Sequence, residues 1–262
     1  MTGSVDFYWF SGTGNTLVVV REMANVFRQA GIPVRLIPLR ADTEVAFEED
    51  VTLGIGVPVA EQGTYPFVLE FCRRLPEGLG REVFFVDTLL AYSGGIVGPL
   101  KTLLSRKGYR PIGAREITMP NNLFPREVDP EKTAAKREKG LTRARDYARS
   151  LIDGKARWRR VPLLPWIWAG MNRSKRIWEL MGRWAGLRCD AELCTRCGLC
   201  ERLCPVGNIL MEDVPVFSGR CRVCLRCYSL CPAGAVVSAK RPGRARYRAV
   251  TAVEMLEAER GG

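Results

Sequence analysis

The first 120 residues alternate between short apolar runs and longer segments in which apolar positions recur every three or four residues. Residues 5–9 (VDFYW), 34–39 (VRLIPL), 52–59 (TLGIGVPV), 82–88 (EVFFVDT) and 116–119 (EITM) read as strands. Helical spacing is predicted over 15–30, 65–75 and 96–107. Gly31 and Pro33 stop the first of these helices, and Gly108 stops the last. Near-continuous apolar strands separated by helices predict a parallel sheet covered on both faces, an α/β doubly wound architecture. A long polar helix is expected over 131–152. Residues 157–187 follow, interrupted by Pro162, Pro165 and Gly170, and the composition changes abruptly at Cys189.

With 262 residues, 47 % of them apolar, the chain is long enough for two compact domains. No apolar run reaches the roughly 18–20 residues of a membrane span. The N-terminus shows neither a basic n-region nor a cleavable apolar core, so a cytoplasmic protein is expected. In a chain without an export signal, ten cysteines point to metal ligation rather than disulfides. The absence of histidine excludes imidazole-ligated zinc and Rieske-type clusters, and removes the commonest general base near neutral pH.

Eight cysteines form an internal repeat. CTRCGLCERLCP begins at Cys194 and CRVCLRCYSLCP at Cys221, both with the spacing C-x2-C-x2-C-x3-C-P. This is the bacterial spacing for two [4Fe–4S] cubanes, in which the fourth cysteine of each run ligates the other cluster. Three thiolates on a tight loop cap three irons, and the fourth, a turn of chain later, points away. One cluster is therefore assigned to Cys194, Cys197, Cys200 and Cys231, the other to Cys221, Cys224, Cys227 and Cys204. Zinc, which pairs C-x2-C with a second, distant C-x2-C, fits this spacing poorly. Cys72 reads as a small buried hydrophobe. Cys189, five residues before the first run, reads as a packing residue or free thiol and not as a ligand.

Residues 10–16, FSGTGNT, lie between the first strand and the first helix. They match neither a Walker A loop nor G-x-G-x-x-G/A, since no lysine follows the second glycine and Leu17 fills the third small position. What remains is an uncharged cradle at a helix N-terminus, suited to a single terminal phosphate, or an ordinary glycine-rich turn.

The stretch FYWFSGTGNT resembles the FMN-phosphate loop of flavodoxins. VPVAEQGTYPFV (57–68) and DTLLAYSGGIVGPL (87–100) fall where flavodoxin-like proteins place the loops flanking the isoalloxazine ring. ITMPNNLFP (117–125) and the C-terminal cysteine module resemble flavodoxin–ferredoxin fusion proteins of anaerobes. The resemblance implies a flavodoxin-like five-stranded sheet at 1–155, a basic tryptophan-rich linker at 156–188, a small α+β 2[4Fe–4S] ferredoxin-like domain at 189–240, and a basic C-terminal tail with a short helix at 241–262. It also implies FMN, with Ser11, Gly12, Thr13, Gly14, Asn15 and Thr16 at the phosphate. Pro58, Val59 and Ala60 would flank the ring on one loop. Thr88, Leu89, Ala91, Tyr92, Ser93, Gly94 and Gly95 would do so on the other. Tyr92, ahead of Tyr65, is the expected stacking residue.

The function expected is electron transfer among the two clusters, FMN and redox partner proteins. An FMN-dependent oxidoreductase that reduces a small acceptor such as a quinone is the alternative. The net charge of +12 is concentrated: residues 121–189 carry 17 basic and 7 acidic side chains. Within 157–187 are five tryptophans, expected to bury between the two domains while the charges remain in water. The charge suits docking of an acidic partner such as a ferredoxin, a flavodoxin or a larger oxidoreductase. Peripheral membrane contact through the same segment is a second use of this pattern. No nucleic-acid-binding module accompanies it, so nucleic acid is not an expected partner.

Overall fold

The computed structural model describes residues 3–45, 50–61, 63–91, 95–158 and 174–261. Strands β1 (Ser4–Trp9), β2 (Val34–Pro38), β3 (Val51–Pro58), β4 (Glu82–Leu89) and β5 (Arg110–Thr118) form one parallel sheet in the order β2-β1-β3-β4-β5. This is the flavodoxin-like order of doubly wound sheets, in which a crevice opens at the carboxyl edge where the chain reverses direction between β1 and β3.

The period-2 alternation of the strands sends large side chains to both faces. Phe7 and Trp9 point to one side with Phe84 and Val86, beneath α1 (Asn15–Gln29) and α4 (Pro130–Ile152). Tyr8 points to the other with Leu53, Ile55 and Phe85, beneath α2 (Pro66–Arg74) and α3 (Val97–Arg106). α4 starts on an N-cap, Asp129, whose carboxylate accepts from the Lys132 N–H at 3.1 Å, with Pro130 in the first turn. The strand β5 begins six residues earlier than its apolar pattern indicates. It is an edge of the sheet, so residues 110–115 pair with β4 on one side only, and arginines at 110 and 115 with proline and glycine between them break the apolar run.

Residues 187–238 are built from short pieces. β6 (Leu187–Cys189) pairs antiparallel with β9 (Val236–Ser238), and β7 (Ile209–Met211) with β8 (Pro215–Phe217). Two five-residue helices, α6 (Leu199–Leu203) and α7 (Arg226–Leu230), each sit inside one cysteine run. Before them runs α5 (Lys175–Ala185). The chain ends in α8 (Ala252–Arg260), started by a reciprocal capping box between Thr251 and Glu254. This tail helix returns to the first domain, where Ala252 and Met255 join the core under α1. No helix of the described residues is long and apolar enough to cross a membrane.

The described tryptophans of the linker are packed. The Trp158 indole N–H donates to the Val97 carbonyl at 3.0 Å, and Trp178 lies 5.6 Å from the Tyr65 ring. Trp184 is edge-on to Phe124 at 5.7 Å, under the Arg241 guanidinium at 4.1 Å. Trp166 and Trp168 lie outside the described residues.

Gly54 in β3 allows the Phe7 and Phe84 rings to meet edge-to-face at 5.0 Å across the strand. A Cβ there would stand 2.5 Å from Phe84 and 2.8 Å from Phe7. Gly54→Ala is expected to destabilise the first domain by about 1–3 kcal/mol, the usual penalty for overpacking. Urea denaturation followed by far-UV circular dichroism measures it; an unchanged midpoint would contradict this packing.

Candidate functional site

The loop 10–14 leaves β1 at the carboxyl edge and turns into α1 through Gly14, whose φ of 101° is left-handed. Ser11, Thr13 and Thr16 are almost fully buried. The Ser11 hydroxyl accepts from the Gly14 N–H at 3.1 Å, and the Thr16 and Thr88 hydroxyls are 2.8 Å apart. Among the described residues no protein acceptor faces the backbone N–H groups of Gly12, Thr13, Asn15 and Thr16. Four buried donors at the positive end of a 15-residue helix, opening on a cavity, are what a phosphate monoester needs. The chain thus fits the phosphate of FMN.

The cavity, of about 160 Å³, takes in Ser11, Gly12, Thr13, Asn15 and Thr16 from this loop. Pro58, Val59 and Ala60 line it from the end of β3, and Thr88 and Leu89 from the end of β4. Gly14, Ala91 and Gly95 are not in its wall. Gly14 packs instead on Val250, Ala91 is exposed and Gly95 is buried elsewhere. Tyr92, Ser93 and Gly94 fall outside the described residues. Tyr65, the weaker of the two stacking candidates, is buried and does line the cavity.

The side chains of Thr13 and Asn15 are engaged by protein. Thr13 accepts from the Asn122 amide at 3.0 Å. The Asn15 amide donates to the Pro120 carbonyl at 3.0 Å and accepts from the Tyr247 hydroxyl at 2.6 Å. Both therefore brace the loop against the segment 120–122 and the tail, and the free donors are those of the backbone.

The far wall of the cavity was not foreseen. It consists of Trp178 and Met181 of α5 and of Arg222, Val223, Cys224 and Leu225 in the second cysteine run. The two surfaces meet so closely that a Cβ on Gly12 would stand 2.4 Å from the Cys224 carbonyl oxygen. Between them is Arg226, almost fully buried. Its Nε donates to the Ser11 carbonyl at 2.6 Å, and its Nη1 donates to the Leu203 carbonyl at 3.2 Å and to Glu259 at 2.6 Å. Glu259 also pairs with Arg40 at 3.2 Å, and Arg40 donates to the Cys204 carbonyl at 2.8 Å.

The two cysteine runs are copies in backbone as well as in sequence. Arg196 and Gly198 in the first have φ of 56° and 69°, and Val223 and Leu225 in the second have 53° and 61°. Left-handed turns at non-glycine residues cost about 1–3 kcal/mol each and persist where the surroundings impose them. Here they wrap each loop around a small volume and aim N–H groups at sulfur: Val223 N–H at Cys221 Sγ, 3.3 Å, and Asn208 N–H at Cys204 Sγ, 3.2 Å. Such donors favour the thiolate, the form that binds metal. Burial acts the other way, pushing the Cys200 thiol up to about 11 and the Cys224 thiol up to about 12. Loading with metal must therefore release protons.

Cys194, Cys197, Cys200, Cys231 and also Cys227 line one cavity, from which Cys204 is absent. The Cys204 thiol is instead close enough to Cys221, Cys224 and Cys227 to raise the pKa of each, after the larger effect of burial. Cys204 thus lies beside thiols of the second run and Cys231 beside those of the first, with Cys227 next to both sets. Among the described residues no three Cys, Asp or Glu side chains converge tightly enough to hold a single metal ion. Cys189, expected as a packing residue or free thiol, is half-buried. It lines the first group's cavity, and hydrogen bonding with Cys194, following desolvation, raises its thiol to about 11. Strand β6 carries it there by pairing with β9, a contact that its sequence position does not reveal. Cys72 is fully buried in the core of α2, its thiol pushed up to about 12 by desolvation.

In comparisons with known proteins, the 4Fe–4S binding domain family matches residues 190–210. No curated protein matches the chain. Among solved structures, a short-chain flavodoxin associated with a non-canonical PDU bacterial microcompartment is 14 % identical over 60 % of this chain and 100 % of its own, with a TM-score of 0.43. A flavodoxin from the domain Archaea is 11 % identical over 57 % and 99 %, with a TM-score of 0.41. The Megasphaera elsdenii flavodoxin is 21 % identical over 53 % and 98 %, with a TM-score of 0.35. The chain joins a flavodoxin-like sheet, identified by its own strand order, to a segment similar to 4Fe–4S binding domains.

The crossed ligation expected from the spacing has a direct consequence. Cys204→Ala should alter the electron paramagnetic resonance signal of the group containing Cys221, and Cys231→Ala that of the group containing Cys194. If each substitution perturbed the signal of its own run, the grouping would be wrong.

Proposed function

We propose that the protein is an electron-transfer flavo-iron–sulfur protein. In this reading it holds one FMN in the cavity between the sheet and the second cysteine run, and two [4Fe–4S] clusters in the two cysteine groups. When bound, the clusters exchange single electrons and FMN one or two; the chain's task is placement and tuning. The observation that carries the reading is the shared wall. Residues 222–225, which include the ligand candidate Cys224, face the same cavity as the free N–H groups of Gly12, Thr13, Asn15 and Thr16.

The chain also gives the three sites an order. The second cysteine group is enclosed between the two domains, whereas Cys197 of the first group is exposed, as are its neighbours Thr195 and Arg196. That exposed end is the natural contact for a redox partner protein. Exposed arginines of α5, Arg176 and Arg183, favour an acidic one. Part of the basic charge serves structure instead. Arg246 donates to the carbonyls of Tyr228, Gly234 and Val236 and covers the Tyr228 ring at 4.2 Å.

Flavin titration of anaerobically purified protein tests the reading. FMN is expected to bind in a 1:1 ratio and at least tenfold more tightly than riboflavin. A phosphate held by several charge-assisted hydrogen bonds gains about 1.5–3 kcal/mol from each. Metal analysis of the same sample should give about eight irons, as two cubanes require. Equal affinity for the two flavins would reduce the loop to a turn, and zinc in place of iron would remove the clusters.

A further inference from the structure

The two cysteine runs match in spacing and in backbone, but they differ at the residue before the third cysteine. In the first run it is Leu199, which packs against the core beneath α1; in the second it is Arg226. An apolar side chain in one copy is thus a cation, 1 % exposed, in the other.

Arg226 lies between the second cysteine group and the flavin loop. Its guanidinium sits 4.6 Å over the Phe10 ring and binds the carbonyls of Ser11 and Leu203 and the carboxylate of Glu259. Its Nη2 is buried with no hydrogen-bond partner among the described residues. Glu259 is shared with Arg40, whose side chain is 30 % exposed, so two guanidinium groups compete for one carboxylate and the buried Arg226 is incompletely neutralised. Of the cations beside the first group, Arg196 and Arg202 are exposed and bind only carbonyl oxygens, of Asp213 and Cys197, and Arg246 is half-buried on the carbonyls of Tyr228, Gly234 and Val236. Water and salt screen such charges far more than a buried one.

An electron added to a cysteine-ligated cluster adds one negative charge, and a buried cation nearby stabilises that state. We propose that Arg226 makes the second cysteine group the higher-potential of the two clusters, and that its bond to Ser11 fixes this charge against the flavin-phosphate loop. The proposal rests on the two-cluster reading above. Its chemistry is a one-electron reduction of the cluster, the electron coming from a titrant and the charge being balanced by the resident cation. It gives the relay a downhill step toward the flavin cavity, set by one residue.

The test is an anaerobic potentiometric titration of the full chain with dithionite and mediators, with each cluster followed by electron paramagnetic resonance. The signal altered by Cys204→Ala identifies the second group. In wild type that signal should appear at the higher potential. Arg226→Gln, which keeps a donor and removes the charge, should lower its reduced-to-oxidised ratio at fixed potential about tenfold, equivalent to about 59 mV for one electron. Arg226→Lys should largely restore it. Glu259→Gln, which keeps a side-chain oxygen to accept from Arg226 and removes its counter-charge, should shift the same signal the opposite way. That variant decides the matter even if Arg226→Gln does not fold. The first group should be unmoved in all three. Two clusters present but shifting together, or neither shifting, would overturn the assignment of Arg226 alone. A larger loss of FMN than of riboflavin affinity in Arg226→Gln, with unchanged potentials, would make it a phosphate ligand and also overturn it. Failure to find two iron–sulfur signals in wild type would sink the functional reading, and this inference with it.

Discussion

The buried guanidinium of Arg226 joins three parts of the chain that are far apart in sequence: the Ser11 carbonyl of the flavin loop, the Leu203 carbonyl at the end of the first cysteine run, and Glu259 near the C-terminus. A buried ion pair is a weak source of net stability, but removing one partner costs about 3–5 kcal/mol because the other is left uncompensated. The pair therefore acts as a registration device. It favours the docking seen here, in which Gly12 lies against the Cys224 carbonyl and the cavity acquires its second wall.

That docking accounts for features that would otherwise look unrelated. The loop after β2 turns toward the first run, where the Ala41 N–H donates to the Pro205 carbonyl at 3.0 Å and Arg40 reaches Cys204. The tail passes behind the flavin loop, where the Ala249 N–H donates to the Thr13 carbonyl at 2.7 Å, and α8 then closes the core under α1. Trp178 of the linker faces Tyr65 over the cavity. The linker thus lines the cavity and the tail braces the loop beside it, while Arg157 and Arg246 bind carbonyl oxygens of the chain itself.

The sheet could be read from sequence because buried parallel strands leave a continuous apolar signature, and only the edge strand β5, half of it polar, was cut short. The cysteine groups could be read because ligand spacing is local to each run. The far wall could not be read in this way. No period or motif connects Gly12 with Cys224 or Ser11 with Arg226, and these contacts span more than two hundred residues. The side chain of Asn15 is a related case: the residue lines the cavity as its place in the loop suggests, but its amide is taken up by Pro120 and Tyr247, far away in sequence. The one visible clue to the far wall was the break in the repeat, Leu199 against Arg226, where a cation stands at a position otherwise apolar.

Anomalous diffraction at the iron edge, from crystals of the anaerobically purified protein grown with FMN, tests the central claim most directly. The account predicts two compact iron sites. One is enclosed by Cys204, Cys221, Cys224 and Cys227, directly behind Gly12 and the flavin. The other is enclosed by Cys194, Cys197, Cys200 and Cys231, toward the surface. A single iron site, or flavin density bound away from residues 222–225, would contradict it.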